Sequence, residues 1–311
     1  MKKVWHCLIQ HLREDFHFLL YGTVFLFLSV TLYINYKIDF LDSVVNVQSD
    51  FRKPFYYLLM FSSGYYFTLL IYSSFTKQWD FWKVKRFWIK SILVLLLLSM
   101  DGSAPFLRTT INEFSNPKLQ FWIYKVSLNL MSFFTVMSPL LLYYFLYDRK
   151  ERHVYGLSAR QFDAKPYFIM LLIMLPIIVA ASFHISFMNQ YPMYKHSSAH
   201  EYLDVPEWVT ALTYEAAYGS DFVNVEFLFR GFMVVGMMNI LGRKAVLAMA
   251  VTYCFLHFGK PAGEAISSIF GGYILGVIAY ETKSIWGGII VHVGIAWMME
   301  LVAFVGQSMR D

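Results

Sequence analysis

Nine apolar runs, near residues 16–35, 54–75, 87–100, 121–147, 166–185, 222–241, 245–258, 262–281 and 284–305, constrain this chain more than anything else in it. Crossing a bilayer takes about 20 apolar residues in a helix. In hydrocarbon every backbone polar group must be satisfied internally, so repeated runs of this length imply helices. The runs at 87–100 and 245–258 are short, which makes eight full spans and a partial one nearly equivalent to nine. Only 15% of the 311 residues are charged and 58% are hydrophobic. That is too little charge to coat a soluble protein, where about a quarter of residues are charged. The expected fold class is therefore all-α, a polytopic transmembrane helical bundle of about 8–9 spanning helices. Segment 205–219 reads as an interfacial or re-entrant helix leading into the sixth span.

Basic residues orient the bundle. Lys and Arg number three at the N-terminus, five in 76–90 and five in 148–165, against two in 101–120 and one in 186–206. An excess on alternate loops implies a cytoplasmic N-terminus in a cell membrane. Lys37, Arg52 and Lys53 are the exception, offset by Asp39, Asp42 and Asp50. The residues before the first run lack a small-residue cleavage site and read as a cytoplasmic lead-in. A net charge of +5 follows from the basic loops and suits anionic lipid headgroups, with no reason to invoke nucleic acid. Cys7 and Cys254 are too few and too distant for a disulfide framework or a metal cluster. The 186–206 loop carries His196, His200, Glu201 and Asp204 without ligand-like spacing, and reads as a solvated polar loop.

Ionisable residues within the apolar runs are concentrated in the last third: Glu215, Glu226, Arg230, His257, Glu264, His292 and Glu300, with Asn224 among them. Each costs roughly 2.5–3.5 kcal/mol at mid-bilayer when charged. Their concentration implies a polar chamber. Glu226 and Arg230 lie four residues apart, on one helix face, and an intrahelical ion pair accounts for them when taken alone. His257 ends a short apolar run before Gly259-Lys260-Pro261, as a capping histidine would. His292 lies in the middle of an apolar run, where a buried imidazole needs a polar partner.

These residues, in this order, resemble the CPBP family of intramembrane proteases, which includes the type II CAAX prenyl endopeptidases and proteins of bacteriocin processing and self-immunity. The family pattern is Glu-Glu-x-x-x-Arg, then aromatic-x-x-x-His, then His-x-x-x-Asn. Here 226–231 carries Glu226, Arg230 and Gly231, 253–257 carries Tyr253 and His257, and 292–296 begins with His292. The first glutamate of the pair is replaced by Val225 and the asparagine by Ala296. The resemblance implies a peptidase core over 166–311, behind variable helices in 1–165. It also implies a hydrophobic or lipidated peptide substrate.

In that mechanism Glu226 and His257 polarise a water, His292 stabilises the oxyanion, and Arg230 orients Glu226. Glu264, seven residues after His257, and Glu215, eleven before Glu226, are candidates to replace the missing carboxylate. No cofactor is required; zinc or another divalent metal is possible but not implied. Two alternatives stand beside the peptidase. One is a degenerate family member acting in self-immunity or as a peptide-binding scaffold, the other a proton or ion transporter.

Overall fold

The computed structural model describes residues 2–151, 153–157, 162–195 and 197–308. Among them there is no β-strand. Ten helices organise the chain: α1 (Lys2–Asp15), α2 (Phe18–Ile38), α3 (Lys53–Thr76), α4 (Lys85–Ser103), α5 (Pro117–Asp148), α6 (Lys165–Ala181), α7 (Glu207–Leu241), α8 (Lys244–Leu256), α9 (Ala262–Thr282) and α10 (Trp286–Ser308). Short helices at Leu107–Phe114, Ile185–Gln190 and Ala199–Leu203 lie in the connections. Seven helical stretches are long and apolar enough to cross a membrane, while α6 and α8 are apolar but shorter. The molecule is an integral membrane protein built as a polytopic helical bundle.

Local chemistry sets several boundaries. Proline stands in the first turn of α3, α5 and α6, where its missing N–H is not needed. Asn116 caps α5 by accepting from the Lys118 amide at 3.0 Å. Pro261 separates α8 from α9. The expectation of a short third span is corrected, because α4 runs for 19 residues. It continues through Asp101, whose carboxylate accepts from Ser132 and Thr135 on α5 and so does not force the helix to end. The seventh run is short as expected, and the fifth is the other shorter helix. Segment 205–219 is likewise no separate re-entrant element: α7 is continuous from Glu207, α-helical to Glu226 and then π-helical over Phe227–Val235. The wide π turn begins immediately after Glu226. Such turns in otherwise α-helical segments are frequent at functional sites.

Helix α8 sits at the centre, packed on α3 and α9, with α10 against α6 and the first half of α7 against α5. One apolar core runs from Leu20 and Phe61 through Phe87 to Phe232, Val246 and Ile289. It joins helices on both sides of residue 165. The lead-in is a docked helix. Arg243 bonds Glu14 and Glu281 and donates to His11 Nδ1 at 2.9 Å. Tyr21 and Tyr72 each donate to Asp15 at 2.6 Å. At the other end of α2, Asn35 donates to the Phe258 carbonyl at 2.9 Å and Tyr36 to that of Lys260 at 2.8 Å. His257 therefore lies toward the membrane face opposite α1.

A second buried polar knot joins α4, α5 and α7. Lys90 pairs with Asp148 and donates to the Gly236 carbonyl, Arg86 also bonds Asp148, and Tyr155 donates to Asp148 at 2.7 Å. Tyr155, at φ 51°, brings its own carbonyl against Gly231, where a Cβ would stand 2.7 Å from that oxygen. The sequence suggests that Gly231 admits a neighbouring helix; what it admits is this loop. In the 186–206 loop, His196 lies outside the described residues. His200 bonds the Ser197 carbonyl at 2.8 Å and Glu201 faces Lys118 at 3.7 Å.

Candidate active site

Three elements converge on one hydrogen-bonded cluster. Helix α7 contributes Glu226, fully buried, and Arg230, 1% exposed, with Arg230 Nη1 2.9 Å from Glu226 Oε1. Helix α10 contributes His292, whose Nδ1 lies 3.0 Å from the same Oε1. Helix α8 contributes Tyr253, whose hydroxyl meets His292 Nε2 at 2.9 Å. The face of the Tyr253 ring lies 4.3 Å below the Arg230 guanidinium, within the range of cation–π attraction. His257, one turn on from Tyr253, places Nδ1 2.8 Å from the Tyr253 carbonyl. That contact fixes Nδ1 as the protonated nitrogen and leaves the Nε2 lone pair open.

Close approach between α7 and α10 depends on Gly288. A Cβ there would stand 2.0 Å from Glu226 Oε2, so any side chain would drive the carboxylate out of place. Phe222 walls the far side of His292, with ring centres 4.4 Å apart. Glu226 thus spends Oε1 on both Arg230 and His292, while Oε2 is buried without a hydrogen-bond partner.

The geometry redistributes the roles expected from the sequence. Glu226 meets His292, not His257; the two imidazoles are linked through Tyr253. Glu264 makes no direct bond to His257, because the break at Pro261 redirects α9. It accepts from Tyr191 at 2.9 Å, although its charge acts on His292 and Tyr253. Glu215 lies beside Glu300, and Glu300 in turn accepts the Met193 amide at 2.9 and 3.0 Å. Neither carboxylate reaches Glu226. Ala296 packs with Tyr214 and Tyr218, so aromatic rings fill the asparagine position. Val225 packs against the core. Sequence reasoning gave Tyr253 only as the aromatic of a motif, and missed Gly288. The four-residue offset from His257 signals the first, and nothing local signals the second.

The donor set does not suit zinc. Both ring nitrogens of His292 are held by protein groups, which leaves His257 Nε2 as the free imidazole donor. Among the described residues no three His, Cys, Asp or Glu side chains gather as ligands.

Fold and site together define a class: a helical membrane protein with a buried Glu–Arg–His cluster between three segments. Residues 222–298, the stretch that holds the whole cluster, match the family model described as Type II CAAX prenyl endopeptidase Rce1-like, which supports the resemblance to the CPBP/CAAX proteases over that quarter of the chain. No curated protein and no solved structure matches the chain.

Proposed function

We propose that the chain is an intramembrane endopeptidase that hydrolyses a peptide bond in a lipidated or membrane-anchored peptide. The observation that carries this reading is the convergence of Glu226, Arg230, Tyr253, His257 and His292 with one imidazole lone pair, His257 Nε2, left open. In this reading His257 is the base. Water attacks the peptide carbonyl carbon as His257 Nε2 takes its proton; when the carbon–nitrogen bond breaks, the imidazolium returns that proton to the leaving amine. Glu226 is not the base. It orients His292, as a buried carboxylate orients an imidazole in other hydrolases. With His292 protonated and donating from Nε2 to the Tyr253 oxygen, the Tyr253 O–H is freed to donate to the developing oxyanion. Glu264, held by Tyr191, adds negative charge that acts on His292 and Tyr253.

With the N-terminus on the cytoplasmic side of the cell membrane, His257 faces the outer half, so substrate enters from the side of the 186–206 loop. The test is cleavage of a farnesylated peptide and of an unlipidated membrane-anchored peptide in proteoliposomes. His257→Ala and His292→Ala are expected to abolish it; full activity in either variant overturns the reading.

One observation favours a second reading. Glu226 Oε1 is taken up by Arg230 and His292, while Val225 supplies no carboxylate. The same chamber then binds a peptide without cutting it, as a self-immunity or scaffold protein. An inactive wild type that gains cleavage on Val225→Glu with Ala296→Asn selects this reading; robust wild-type cleavage rejects it.

A further inference from the structure

A second polar cluster lies away from the imidazoles, between α4, the π turn of α5 at Phe133–Met137, and α7. Asp101 accepts from Ser132, at 3.3 Å, and from Thr135. Asp221 faces it from α7, with Ser132 and Asn224 beside it and the charge of Asp101 acting on it. Among the described residues no Lys, Arg or His is among the groups acting on either aspartate. By contrast, Glu226 is paired with Arg230, Asp148 with Lys90, and Glu300 accepts the Met193 amide. Two facing carboxylates in a low-dielectric setting repel strongly unless a positive charge lies between them.

Asn224 points to what that charge is. It is 1% exposed, and neither its amide oxygen nor its amide nitrogen has a hydrogen-bond partner; Asp221 Oδ1 is buried and unpartnered too. Leaving such groups buried and unsatisfied is costly, so a partner for them is expected. Asp221 and Asn224 lie on one face of α7, and Ser132 and the charge of Asp101 act on Asp221, so the oxygen ligands on offer are two carboxylates, an amide and two hydroxyls.

We propose that Asp101, Asp221, Asn224, Ser132 and Thr135 bind a hard divalent cation of the calcium type. Oxygen-only ligation with flexible geometry suits calcium, whereas magnesium demands a near-ideal octahedron and retains water. The cation clamps α7 to α4 and α5. Phe222, the next residue after Asp221, packs on His292, so the clamp also sets the wall of the chamber. The site stands whether or not the chamber hydrolyses peptides.

The test is equilibrium binding of radioactive calcium to the purified full chain in detergent, paired with thermal unfolding in chelator, calcium, magnesium or sodium. Wild type is expected to bind one calcium per chain and to show a saturable rise in Tm with calcium that magnesium and sodium do not match. Asp101→Asn/Asp221→Asn removes the two charges at nearly constant volume. This variant is expected to fold, to unfold in chelator no earlier than wild type, and to lose both the binding and the shift. Absence of calcium binding in wild type overturns the proposal and leaves a proton shared between the carboxyls. Binding that persists undiminished in the double variant overturns it as well, since the ion is then held by lipid or detergent. A larger shift with sodium than with calcium overturns the divalent assignment.

Discussion

Replacing Glu226 by Gln isolates the buried ion pair, because the side chain keeps its volume and loses only its charge. Arg230 is 1% exposed and its Nε and Nη1 have no hydrogen-bond partner of proper geometry, so the lost carboxylate is not replaced by water. Breaking one side of a buried pair costs about 3–5 kcal/mol. The Tyr253 ring, 4.3 Å from the guanidinium, retains an attraction worth ~2 kcal/mol when desolvated. Part of that attraction is already present in the wild type, so it offsets the loss only where the guanidinium settles closer to the ring. A net cost of roughly 2–3 kcal/mol follows, a 30- to 140-fold fall in the folded-to-unfolded ratio at about 1.4 kcal/mol per tenfold. The assay is equilibrium unfolding of the purified chain in mixed micelles. The decisive comparison adds Arg230→Met, which removes the stranded charge at similar volume. Glu226→Gln/Arg230→Met is expected to recover to within about 1 kcal/mol of wild type, yet to remain inactive because His292 has lost its carboxylate. Two results refute the reasoning: a single variant as stable as wild type, or a double variant no more stable than the single.

Gly288→Ala places a carbon 2.0 Å from Glu226 Oε2; an overpacking cost of about 1–3 kcal/mol is expected, with a larger loss of cleavage than of stability, and unchanged turnover refutes the close packing. His11 gives a pH signature. Burial depresses its pKa below the ordinary imidazole value, against the opposing pull of Asp15 and Glu281 and with Arg243 also lowering it. A histidine whose folded pKa lies below its unfolded one contributes its full stability above about pH 6.5 and loses it as pH falls toward the folded value. The protection of the α1 amides, taken relative to the intrinsic exchange rate at each pH, is therefore expected to fall between about pH 7 and pH 5 in wild type and to be flatter in His11→Phe; equal protection across that range in wild type refutes it.

The parts of the fold legible in the sequence are those the bilayer dictates. Apolar runs announce helices because hydrocarbon leaves the backbone no other partner, and all nine are present. Their lengths were less legible, since a polar residue inside a run ends the helix only when it lacks a partner. Asp101 finds Ser132 and Thr135 on another helix, and α4 continues past it. The docking of α1 through Arg243, Glu14 and Glu281 pairs residues more than two hundred positions apart. No periodicity carries that information.

The site divides along the same line. Glu226 and Arg230 were legible as a pair because i,i+4 spacing is a local rule, and it survives the passage from α-helix into π-helix at Phe227. The partner of His292 was legible only as a need. An imidazole in mid-run requires a polar neighbour, but which one depends on how α10 passes α7, and Gly288 sets that passage by letting the Glu226 carboxylate lie against the α10 backbone. Because Glu226 is drawn to His292, it is unavailable to His257, and in the proposed peptidase the open Nε2 is the group that serves as base. The replacement of a glutamate by Val225 then has a definite chemical consequence for the proposed peptidase: either Glu264 across the Pro261 break assists His257, or His257 acts alone. A Glu264→Gln variant weighs these two outcomes directly. A fall in cleavage with a displaced acid limb of the pH–rate profile assigns the carboxylate to His257; an unchanged profile removes Glu264 from the chemistry and leaves His257 acting alone.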